Sequence, residues 1–91
     1  MQKKDEKTLQ LRKIIGEVIT SLRKSKTNLT CNKMEDEYDF SKGSLFRIEN
    51  AQVDVKFITL WKISESLGLK FSEFSKIVEE KLGKDFKLID E

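Results

Sequence analysis

The chain has no histidine, no proline and one cysteine, Cys31. Without histidine, and with one thiol, the usual zinc sites and nucleophile–base pairs cannot be assembled. Its four glycines form no glycine-rich phosphate loop. An enzyme is therefore not expected, and neither is a metal or a cofactor. A lone cysteine also excludes an intramolecular disulfide, which fits a reducing compartment. No apolar run approaches the length of a membrane span. The opening residues, MQKKDEKTLQ, lack the apolar centre of a signal peptide. The expected location is cytoplasmic, with no membrane partner. The lack of proline and scarcity of glycine favour helices over strands.

What is present is charge and periodicity. Ninety-one residues suit one domain, with 37% apolar and 37% charged residues and a net charge of +2. Residues 1–26 hold eight Lys/Arg against three Asp/Glu, whereas residues 27–50 hold three against five. A basic first third either faces phosphate or is a solvated helix face; on charge alone the second reading is preferred.

Residues 1–8 are polar and are expected to form a flexible arm. Leu11, Ile14, Ile15, Val18, Ile19 and Leu22 recur at helical spacing and predict an amphipathic helix over 9–26. Thr30 is a suitable N-cap for a short helix over 31–38, with Met34 and Tyr38 sharing its inward face. A turn at Asp39 follows. Ser41 can cap a third helix over 42–50, with Leu45 and Ile48 inward. Phe57, Leu60, Ile63 and Leu67 form a fourth stripe closed by Gly68. Phe71, Phe74, Ile77, Val78 and Leu82 form a fifth before Gly83. In the tail, 84–91, the alternation of Phe86, Leu88 and Ile89 fits a short strand, a swapped contact or disorder.

Two short helices joined by a tight turn over 30–50 form a helix-turn-helix unit. Three segments then fall in order: IGEVITSLRKSK (15–26), TCNKMEDEYDFSKGSLFRIEN (30–50) and FITLWKISESLGLKFSEF (57–74). Together they resemble the phage-repressor and Cro-like helix-turn-helix domains, the XRE family. SLFRIEN is the most specific fragment. The resemblance implies an all-α, five-helix, lambda repressor-like fold, with the DNA-binding domain at 9–83. It implies an ion pair between Arg23 and Glu49 that ties the third helix to the first. It also implies that outward residues near the start of the third helix read DNA: Lys42, Gly43, Ser44 and Arg47, with Ser41 beside them.

Side-chain chemistry agrees with that assignment. Arg47 can bond guanine O6 and N7 bidentately, and Lys42 can reach a base edge or a phosphate. Ser44 and Asn50 suit phosphate oxygens, and Gly43 admits close backbone approach. Asn32 stands in the first turn of the second helix, whose N-terminus suits a phosphate. Phe46 either touches a thymine methyl group or covers the core edge, the second being preferred. Trp61 is a core wall or part of a dimer patch.

Some positions depart from the family pattern. Glu35 stands where a small residue is usual, so its charge must reach solvent or find a partner. Asp39 replaces the turn glycine and must accept a left-handed backbone. Cys31 replaces a glutamine that contacts phosphate. The link between the first two helices is about one residue longer than usual.

The resulting expectation is a sequence-specific regulator of transcription. It would bind double-stranded DNA as a homodimer, as a repressor, with its self-contact on the fifth helix and the tail near Trp61. Two alternatives are a protein-interaction module on the same scaffold, favoured by Glu35 and Asp39, and an antitoxin that also neutralises a protein partner.

Overall fold

The computed structural model describes residues 3–89 and is all-helical. Five helices follow in order: α1 (Lys3–Lys26), α2 (Cys31–Tyr38), α3 (Ser44–Glu49), α4 (Phe57–Ser66) and α5 (Phe71–Leu82). The core takes residues from all five: Val18 and Ile19, Met34, Leu45 and Ile48, Ile63 and neighbouring Leu67, Phe74 and Val78. These are the inward positions that helical spacing selects. α3 has six residues, too few to persist alone, so its stability comes from packing against α1 and α2.

α1 and α3 cross closely at Gly16, where a Cβ would overlap the backbone carbonyl of Glu49. Glycine at this position lets the two backbones touch. Thr27 ends α1 by donating its hydroxyl to Arg23 O at 2.7 Å. Thr30 starts α2, its hydroxyl accepting from Lys33 N–H at 3.2 Å. Asp39 closes α2 in the left-handed conformation, φ 59°, which its short polar side chain tolerates. Lys62 of α4 holds this turn: its ammonium donates to Asp39 O at 2.6 Å and lies over the Phe40 ring.

Several expectations need correction. α1 begins at Lys3, so residues 3–8 continue a helix where an arm was expected. No breaker separates this Lys- and Glu-rich stretch from the anchored part of α1, and helix propagates readily once nucleated. Met1 and Gln2 lie outside the described residues. Tyr38 is exposed, because Met34 and Glu35 fill the inward face of α2. Phe57 is 62% exposed: the first turn of α4 projects past the core, and its ring meets Trp61 and Phe71. Trp61 is likewise exposed and stacks on Phe71 at 5.1 Å. The tail forms no strand among the described residues. Phe86 is partly buried, and Leu88 borders an apolar hollow with Leu11, Ile15, Ile48 and Val55. Residues 90 and 91 lie outside the described residues.

Candidate nucleic-acid interface

α3 is held at both ends. At its C-terminal end Glu49 meets Arg23 in a two-pronged pair: Arg23 Nε donates to Oε2 at 2.8 Å and Nη2 to Oε1 at 3.0 Å. Thr20 donates its hydroxyl to Oε1 at 2.8 Å, and Arg23 Nη1 donates to Leu29 O at 3.0 Å. The Glu49 side chain is 5% exposed. Burial pushes its carboxyl upward, but hydrogen bonds from Arg23 and Thr20 and the charge of Arg23 outweigh this and hold it below the ordinary value. The Arg23 guanidinium is raised in turn, chiefly by its hydrogen bond to Glu49.

At the N-terminal end stands Glu35, 2% exposed. The N–H of Gly43 donates to its Oε1 at 2.9 Å and the N–H of Leu45 to its Oε2 at 2.9 Å. Its charge therefore does not escape to solvent; it finds two backbone donors at the electropositive end of α3. Sequence reasoning recognised the anomaly but not the partner, because the two N–H groups belong to a different helix.

This carboxylate also changes where α3 starts. Ser41 does not cap it. Its carbonyl accepts from Ser44 N–H at 3.0 Å and from the Ser44 hydroxyl at 2.6 Å, forming a turn. The cap position is Gly43, with φ 80°, and the helix begins at Ser44 rather than Lys42. Glu35 supplies the acceptor that a capping serine would have provided.

The outward face of α3 and its leading turn carries exposed Ser41, Lys42, Phe46, Arg47 and Asn50, with Gly43 and Ser44 partly buried among them. The Arg47 guanidinium folds back over Gly43: a Cβ there would sit 2.9 Å from Nη1. Among the described residues, Lys42 and Arg47 pair with no acid. Asn50 turns inward on its own helix, its amide donating to Phe46 O at 2.8 Å. Asn32 and Lys42 meet at a small polar hollow with Glu35 and Asp36. Phe46 is 53% exposed, so it does not cover the core edge as preferred from the sequence. Leu45 and Ile48 take the inward side of α3, which leaves Phe46 outside.

At Cys31, at the start of α2, burial, and then the charge of Glu49, push the thiol up to about 11. Among the described residues no cluster of acids and cysteine is arranged to hold a metal, and no helix is long and apolar enough to cross a membrane.

Comparison with known proteins bears on this geometry. Control protein C.MunI of a Mycoplasma species is 36% identical over 66 residues, covering 71% of this chain and 89% of that protein. The chain belongs to this control-protein family. No family model and no solved structure matches it.

Proposed function

We propose that this control protein is a sequence-specific regulator of transcription that binds double-stranded DNA through α3. The observation that carries the reading is a six-residue helix held at both ends, by Glu35 and by the Arg23–Glu49 pair, with Arg47 on its outward side and Lys42 in the turn before it both unpaired. A rigid helix with free cationic side chains suits the major groove, where Arg47 meets guanine and Lys42 a base edge or phosphate. Asn32 and the N-terminal end of α2 lie beside the same face for the DNA backbone. The similarity to a control protein supports the regulatory half of the reading. Regulation would follow from occupancy of a promoter, with repression its simplest outcome.

The active form in this reading is a homodimer, since helix-turn-helix proteins read paired half-sites about 34–36 Å apart. The exposed apolar residues Phe57, Ile58 and Trp61 on α4 support a self-contact there. The α5 and tail surface expected from sequence also leaves apolar residues uncovered, Leu88 and Ile89 in the tail, and is the alternative self-contact. Sedimentation should give a dimer, and Ile58→Glu a monomer with weakened DNA binding.

Fluorescence anisotropy tests the main reading. The duplexes are a random pool and the DNA upstream of the protein's own gene, each over a salt series. Binding that weakens steeply with salt, prefers the upstream duplex and loses about 1–3 kcal/mol of that preference in Arg47→Ala is the expected result. Absence of binding to any duplex at low salt refutes it.

A further inference from the structure

Phe46 is a large apolar side chain on an outward surface that also carries exposed Lys42, Arg47 and Asn50. It is 53% exposed and contacts no other aromatic ring among the described residues. It does not join the exposed cluster of Phe57, Trp61 and Phe71. On the outward surface of α3 and its leading turn it stands with Lys42, Gly43, Arg47 and Asn50.

Gly43 contributes no side chain, and the Arg47 guanidinium lies against it. The outward surface that carries Phe46 therefore also carries the unpaired cations Arg47 and Lys42. They suit a polyanionic occupant. It must also present a small apolar group within reach of the ring. In the major groove the thymine 5-methyl is the one apolar group on a base edge.

We propose that Phe46 is a specificity-determining residue that reads the methyl group of a thymine, in the same half-site as a guanine read by Arg47. This rests on the DNA-binding reading above. Phe46 and Arg47 are consecutive on α3 and project about 100° apart around its axis, so the two side chains reach different positions of that half-site.

The test uses the full chain and the tightest duplex selected from a random pool. Each thymine is replaced in turn by deoxyuridine, which removes only the methyl group. One replacement per half-site should weaken binding about three- to fivefold, the scale of one buried methyl group. The same replacement should have no effect on Phe46→Ala, while Phe46→Leu should retain most of it. Because Phe46 is exposed, both variants should keep the wild-type melting temperature. Uniform tolerance of deoxyuridine by the wild type overturns the proposal and leaves DNA binding intact. A deoxyuridine penalty that persists in Phe46→Ala also overturns it, by assigning the methyl group to another residue. Failure to bind any duplex removes the DNA reading itself.

Discussion

Glu35 and Leu45 belong to different helices, ten residues apart in sequence, and the Leu45 N–H donates to Glu35 Oε2 at 2.9 Å in the buried interior. The other carboxylate oxygen accepts from Gly43. The side chain of α2 thus provides the N-terminal cap of α3 and fixes the angle between the two helices of the motif.

Removing that cap leaves two backbone donors without an acceptor. Glu35→Ala is expected to destabilise the fold by about 2–4 kcal/mol, since each buried unsatisfied group costs about 1–3. Glu35→Gln should recover only part of this, because its amide group faces an N–H donor. Urea denaturation measures the loss. Hydrogen exchange should show Gly43 and Leu45 amides accelerated beyond the α1 core. A change below about 0.5 kcal/mol in Glu35→Ala would falsify the capping role.

The Arg23–Glu49 pair makes stability depend on acid. Glu49 titrates lower in the folded chain than in the unfolded one. Its contribution is therefore complete above the unfolded value of about 4.3 and is lost as pH falls through the lower folded value. Stability should decline below about pH 5, more steeply in wild type than in Glu49→Gln. At neutral pH that variant should be weaker by about 3–5 kcal/mol, because Arg23 keeps a buried charge with its partner gone. Identical acid slopes in the two proteins would assign the acid sensitivity elsewhere.

Cys31 should resist thiol reagents. With its thiol pushed up to about 11, the thiolate fraction at pH 8 lies on the order of a hundredfold below that of a free cysteine of about 8.5. Labelling by an aromatic disulfide reagent should be correspondingly slow, and urea should restore the ordinary rate. Equally fast labelling with and without urea would contradict the burial.

Ala51 carries a left-handed backbone, φ 60°, just after α3. A side chain there costs roughly 1–2 kcal/mol relative to glycine, partly offset by the extra freedom of glycine in the unfolded chain. Ala51→Gly should raise stability by about 1 kcal/mol, or roughly 4–8 °C in Tm for a domain of this size. An unchanged or lower Tm would show that the strain is absorbed elsewhere.

Much of the fold was legible in the sequence because burial imposes a period. Val18, Ile19, Ile63, Leu67, Phe74 and Val78 announced their helix faces, and Thr30 its helix start. The Arg23–Glu49 contact was anticipated by resemblance to a family and is met by a two-pronged pair. Phe57 and Tyr38 obeyed the same period yet lie outside the core. Period identifies a face, but not whether another helix reaches that height. Gly16 gave no signal, since its role depends on where the Glu49 carbonyl arrives.

The sequence by itself determined the helical class, the five segments and most of the residues that line the core, because these follow from side-chain spacing along the chain. Tertiary structure alone decided that Glu35 caps α3, that α3 starts at Ser44, that Arg47 folds over Gly43 and that Phe46 faces outward. Each of these depends on groups that are distant in sequence, or on the path of a turn, and a backbone N–H carries no mark of which carboxylate will reach it.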